Sequence, residues 1–220
     1  MHTFATLFAL QLALVSGALG APTANVPRAA CVDVMVIFAR GTTEAPPIGT
    51  VAGPPLQSAL TSALRSSGKT LSFAGVSYPA DVPGFLAGGD PQGSKTMAAD
   101  LTNAANSCPK AALVTVGYSQ GGQLVHNSAK MLSSTVSSRI KAAVIFGDPD
   151  NGTAVAGVSA ANTKIICHTG DNICAHGDLI LPPHLYVVSP SELMRMGLTA
   201  LFRTYGQDAS SAAAFIVSKV

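Results

Sequence analysis

"LVTVGYSQGGQLV", Leu113 to Val125, runs a β-branched stretch into a segment able to start a helix, with a serine between two glycines at the join. Gly117-Tyr118-Ser119-Gln120-Gly121 has the Gly-x-Ser-x-Gly form. Where this pattern links a strand to a helix, the turn is tight enough to force the serine into a strained backbone conformation and present its hydroxyl. The first amides of the following helix then point toward any negative charge that develops beside it. An ordinary glycine-rich turn would only expose the serine to solvent, so the surrounding segments decide the reading.

Apolar runs recur along the chain: "CVDVMVIFA" (31–39), "LSFAGVSYP" (71–79), "AALVTVGY" (111–118), "KAAVIFGDP" (141–149) and "KIICHTG" (164–170). They read as strands buried on both faces. Between them, 53–67, 93–108 and 120–134 have helical character. Strand alternating with helix implies a parallel α/β sheet covered on both sides. Ligands on such sheets gather at the carboxyl ends of the strands. The segments there are "RGTTEAPP", "SQGG", "DPDNG" and "DNICAHGD".

With 220 residues, 48% hydrophobic and 11% charged, the chain suits one compact domain. A net charge of +2 from thinly spread Lys and Arg favours neither nucleic acid nor an anionic membrane surface. Residues 1–20, "MHTFATLFALQLALVSGALG", read as a secretory signal peptide, followed by an extension over 21–30 and the domain over 31–220. The four cysteines then face an oxidising compartment, where two disulfides are expected rather than a zinc site. Spacing prefers Cys167 with Cys174, leaving Cys31 with Cys108. Asn151-Gly152-Thr153 is a glycosylation sequon.

A serine hydroxyl needs a base to take its proton and a third group to orient that base, in the chain order Ser, acid, His for this type of sheet. Asp171 and His184 have that order. Asp171 is favoured over Asp148, Asp150 and Asp178 because a short disulfide loop would mount it rigidly. His184 leads His168 and His176 less decisively, and His126 reads as a surface or packing residue.

"RGTTE", "GYSQGG", "GDP", "CHTGDNIC" and "PPHL" together resemble the cutinase family of small secreted fungal serine esterases, over about Cys31 to Leu185. The resemblance implies a small α/β-hydrolase-like three-layer sandwich with a central parallel sheet of about five strands and no large lid. It implies Ser119 as nucleophile, Asp171 as acid, His184 as base, Thr42 and Gln120 at the oxyanion hole, and disulfides Cys31–Cys108 and Cys167–Cys174. No metal or organic cofactor is implied. "DVPGFLAGG" (81–89) and "DLILPP" (178–183) would be two lips, with Val82, Phe85, Leu179, Ile180 and Leu181 meeting acyl chains in an open, shallow site. The expected substrate is cutin, a similar insoluble polyester or a small ester, handled by a monomer without membrane insertion. An acetylxylan esterase and a non-catalytic surface-binding protein that retains the fold are the alternatives.

One stretch departs from the family. Tyr186 to Arg203, eighteen residues, separates "PPHL" from "TYGQDA". Its codons can spell a splice-donor-like start at Leu185-Tyr186-Val187, a branch-like Leu198-Thr199 and an acceptor-like end at Arg203. The segment therefore reads as retained intron sequence, against a true insertion forming an amphipathic helix over the site.

Overall fold

The computed structural model describes residues 31–185 and 204–220. The signal segment 1–20, the extension 21–30 and the insertion 186–203 lie outside the described residues.

The apolar runs form five parallel strands: β1 (Val34–Ala39), β2 (Leu71–Gly75), β3 (Ala112–Tyr118), β4 (Ile140–Phe146) and β5 (Thr163–Ile166), in the order β2-β1-β3-β4-β5. Alternation along each strand sends side chains to two cores. Val34, Val36 and Phe38 of β1 join Ala142, Val144 and Phe146 of β4 on one face, while Ile37, Ala39, Ala143 and Ile145 face the other.

Helix α1 (Gly53–Ser66) covers the first face with Leu56, Leu60 and Leu64, all fully buried at the i, i+4, i+8 spacing of one helical stripe. Each such leucine stabilises the fold by about 2 kcal/mol on burial. Pro54 and Pro55 start α1, where the missing amide costs nothing. Gly68, at a φ of 70°, ends it through hydrogen bonds back to the last carbonyls. A short helix, α2 (Val82–Leu86), then precedes α3 (Pro91–Ser107) and α4 (Gln120–Met131), which cover the second face with Met97, Leu101, Leu124 and Val125. After α5 (Ser134–Ser137) and α6 (Pro182–Leu185), α7 (Ala209–Val217) packs beside α1. The expected three-layer α/β sandwich is present.

Some boundaries differ from the sequence reading. The second apolar run stops being strand at Gly75 because Tyr78 and Pro79 turn their carbonyls to the Arg40 guanidinium instead of to a neighbouring strand. The lip at 81–89 contains α2, started by Asp81, whose side chain accepts from the Gly84 amide.

The strand order places the sheet's switch point between β1 and β3, where connections leave toward opposite faces. The loops after these two strands carry Thr42 and Ser119. Two disulfides, Cys31–Cys108 and Cys167–Cys174, tie the entry of β1 to the end of α3 and close a loop just past β5.

On loop-closure entropy, the 77-residue and 7-residue separations predict unequal contributions. Urea unfolding of Cys31→Ser/Cys108→Ser should show a loss of about 4.5 kcal/mol, against about 2.5 kcal/mol for Cys167→Ser/Cys174→Ser. Equal losses would contradict the entropic account.

Candidate active site

Ser119 follows β3 directly and holds φ 56° and ψ −123°, a positive φ that L-residues seldom adopt. Such a conformation costs of order 1–3 kcal/mol and persists only when surroundings enforce it. Here the Ser119 amide donates to the Phe146 carbonyl at 2.9 Å, and the Ser119 carbonyl accepts from Gly122 at 2.7 Å. Gly121 lets the turn sit against β1, since a Cβ there would lie 2.0 Å from the Ala39 carbonyl oxygen. The strand-to-helix elbow inferred from the motif is formed.

Asp171 lies in the loop closed by Cys167–Cys174. Its Oδ1 accepts from the Ile173 amide at 2.9 Å, and its Oδ2 accepts from His184 Nδ1 at 2.8 Å and from the Tyr205 hydroxyl. Burial alone would raise this carboxyl, but the hydrogen bonds from His184 and Tyr205 outweigh it and hold the group below the ordinary carboxylate range. The stabilisation it contributes is complete above the unfolded-state value and is lost only as pH falls through the lower folded value.

A carboxylate on Nδ1 makes that nitrogen the donor of a neutral imidazole and leaves the lone pair on Nε2. His184 Nε2 is buried and has no hydrogen-bond partner. The bond from Ser119 to this nitrogen, which proton relay requires, is therefore not made in this structure. The imidazole is boxed in beside the elbow. Its ring stacks on Tyr118 at 5.2 Å, the Tyr118 hydroxyl donates to the His184 carbonyl at 2.5 Å, and Gly147 leaves room where a Cβ would approach His184 Cε1 to 2.6 Å. Ser119 and His184 are only 3% and 1% exposed. The rings of Tyr118 and Tyr205 flank the histidine.

The remaining histidines take other partners. His126 is not at the surface: its Nε2 meets Asp148 at 3.0 Å, both side chains fully buried. His168 pairs with Asp208 at 2.6 Å, and His176 Nδ1 lies 2.9 Å from the Pro149 carbonyl. Asp150 donates its amide to Asp148.

Thr42 sits after β1 in a loop held from both ends. The buried Arg40 guanidinium donates to the carbonyls of Glu44 and Tyr78, each at 2.7 Å, and stacks over the Tyr78 ring. The Glu44 carboxylate accepts from the amides of Gly41, Thr50 and Val51 at 2.8–2.9 Å. Thr42 Oγ1 is buried with no partner. Among the described hydrogen bonds none uses the amides of Thr42 or Gln120. An oxyanion site needs uncommitted donors of this kind. Arg40 and Glu44 escaped the sequence reading, although a charged pair bracketing Gly-Thr-Thr in so charge-poor a chain was a signal for them.

The first lip is fastened to α4, and the second to Asn172 and His184. From α4, the side-chain amides of Gln120, Gln123 and Asn127 donate to the carbonyls of Asp81, Phe85 and Gly88, at 2.7, 3.3 and 2.8 Å. On the other side, the Leu179 amide donates to Asn172 Oδ1, and the Leu181 carbonyl accepts from the His184 amide. Val82, Leu179, Ile180 and Leu181 are exposed, whereas Phe85 is buried at 8%. Leu86, not singled out in the sequence, is 65% exposed beside them. Of six exposed large hydrophobic residues among the described residues, five lie on these two lips. Asn151 is half-buried, with its side-chain amide donating to the Cys174 carbonyl at 3.2 Å. Among the described residues no cluster of His, Cys, Asp or Glu could hold a metal.

Comparison with known proteins agrees with this geometry. The family model for cutinase matches residues 30–220. A cutinase from Monilinia fructicola is 53% identical over 216 residues, covering 98% of this chain and 97% of that protein. The structure of Trichoderma reesei cutinase in complex with a C11Y4 phosphonate inhibitor is 44% identical, with a TM-score of 0.74 over 86% of this chain and 76% of that one. The catalytic core domain of acetyl xylan esterase from the same organism, 24% identical with a TM-score of 0.59 over 87% of this chain and 100% of that one, shares the fold. This chain belongs to the cutinase family and is a serine ester hydrolase.

Proposed function

We propose that this chain is a secreted, monomeric esterase that cleaves cutin or similar aliphatic polyesters, and short-chain esters, through an acyl-enzyme on Ser119. The observation that carries the reading is a carboxylate-oriented imidazole whose Nε2 has no other partner, seated beside a strained serine elbow. His184 takes the proton as Ser119 attacks the ester carbonyl and returns it to the leaving alcohol, after which water repeats the cycle on the acyl-enzyme. The Ser119–His184 contact tightens when substrate fills the space between the lips, as catalytic hydrogen bonds commonly do. The amides of Gln120 and Thr42, with the Thr42 hydroxyl, receive the tetrahedral oxyanion. Losing one such donor costs about 2.7–4 kcal/mol of transition-state stabilisation.

The exposed rim of Val82, Leu86, Leu179, Ile180 and Leu181 supports an apolar polymer as the substrate. An aliphatic chain laid between these lips removes hydrocarbon surface from water on both sides, whereas an acetylated sugar polymer would leave the rim unmatched.

Segment 186–203 reads as retained intron sequence. In support, the chain on its two sides meets at one cluster, the rings of His184 and Tyr205 lying 5.7 Å apart. Joining Leu185 to Thr204 would restore "PPHLTYGQDA".

Purified protein should hydrolyse p-nitrophenyl butyrate and release cutin monomers, and Ser119→Ala should lower kcat by about a millionfold. Equal rates would remove Ser119 as nucleophile, and faster acetate release from acetylated xylan than monomer release from cutin would reassign the substrate. Protein recovered from culture medium should begin after Gly20, elute as a monomer and lose mass at Asn151 on endoglycosidase treatment. An intact first segment inside the cell would refute secretion. Transcripts should include a form that skips codons 186–203, and protein lacking those residues should be at least as active as the full chain. Continuous transcripts alone, or an inactive deletion, would count against the intron.

A further inference from the structure

Asp171 must hold its carboxylate plane still, because the plane's direction sets the imidazole. The torsion at the end of an Asp side chain is broad and supplies little stiffness of its own. The Ile173 amide restrains Oδ1. Oδ2 accepts from two side chains, His184 and Tyr205, and only the first belongs to the usual relay.

We propose that Tyr205 is a positioning residue for ester cleavage, its hydroxyl bracing the Asp171 oxygen that orients His184. This rests on the assignment of Ser119, Asp171 and His184 made above. The direction of donation is settled by the surroundings: the Tyr205 oxygen accepts from the His168 amide at 3.2 Å, so its single proton goes to the carboxylate. Burial first, and then the Asp171 carboxylate, push the phenol well above its ordinary value and keep it a donor.

The ring is gripped as firmly as the hydroxyl. Tyr205 is fully buried and stacks on His168 at 4.1 Å with an interplanar angle of 14°. His168 lies 2.6 Å from Asp208 through Nε2 and 3.2 Å from the Pro183 carbonyl through Nδ1. Pro183 immediately precedes the base, so one ring stack ties together the end of β5, the start of α7 and the turn carrying His184. Tyr205 also stands edge-on to His184 at 5.7 Å. It is the second described residue after segment 186–203, so the position at which the chain resumes determines whether this brace exists.

A role in packing alone would be met by phenylalanine, which makes Tyr205→Phe the deciding variant. Assayed on p-nitrophenyl butyrate, it should lose about 10- to 100-fold in kcat with KM within about twofold, the size expected from slight misplacement of a catalytic group. In an Asp171→Asn background the same change should alter kcat by less than about twofold, since the oxygen it braces is no longer a carboxylate. The downfield proton resonance of His184 Nδ1–H should shift. Unchanged kcat in Tyr205→Phe, or an equal loss with and without Asp171→Asn, would overturn the proposal. If Tyr205→Phe fails to fold, 3,5-difluorotyrosine at 205 keeps ring and hydroxyl while altering the strength of donation; an unmoved His184 resonance and an unmoved kcat would then overturn it. Ser119→Ala separates the two readings. Should it stay active, the triad assignment fails; should it be inactive while Tyr205→Phe is not impaired, only the role of Tyr205 falls.

Discussion

A carboxylate taken out of water must be met by donors, or it becomes neutral or unfolds its surroundings. Asp171 meets this condition with the Ile173 amide from its own disulfide loop, the His184 imidazole from α6 and the Tyr205 hydroxyl from the segment before α7. Three stretches of chain thus converge on one buried charge. The hydrogen bond from His184 that helps make the charge tolerable also orients that imidazole, so stabilising the loop and holding the ring are one interaction seen from two ends. The short disulfide closes the loop that carries this carboxylate.

The opposite wall works on a similar principle with the signs exchanged. Arg40 is a buried cation answered mainly by backbone carbonyls, and Glu44 is a carboxylate answered by backbone amides. Together they shape the loop that leaves Thr42 with unspent donors. The elbow supplies the other unspent donor at Gln120, and the side chain of Gln120 is meanwhile used to hold the lip at Asp81. The strain at Ser119 is maintained because both neighbours of the turn, β1 and β4, are central strands of the sheet and cannot yield without opening the core.

Three His–Asp pairs occur among the described residues, and they show how far residue type can carry an argument. His126–Asp148, His168–Asp208 and His184–Asp171 are alike in chemistry. The first joins α4 to the segment after β4 with no exposure, and the second supports the stack against Tyr205. Only the third presents a nitrogen beside the elbow. Asp148 and Asp171 both follow strands, so strand ends alone did not separate them; the disulfide loop was the useful discriminator, because it predicted which acid would be rigidly mounted.

By itself the sequence determined the parallel sheet, its covering helices, the elbow at Ser119, the chain order of the candidate acid and base, and the close cysteine pair Cys167–Cys174. These follow from periodicity, local turn chemistry and short motifs, which act over a few residues and survive translation into a string. The burial of His126, the carbonyl cradle around Arg40, the amide ladder from α4 to the first lip and the bond from Tyr205 to Asp171 were decided only by the tertiary structure. Each joins residues 20 or more apart through contacts that no local pattern encodes. Packing also left Nε2 of His184 without a bond to Ser119, a matter of side-chain geometry that chain order does not reach.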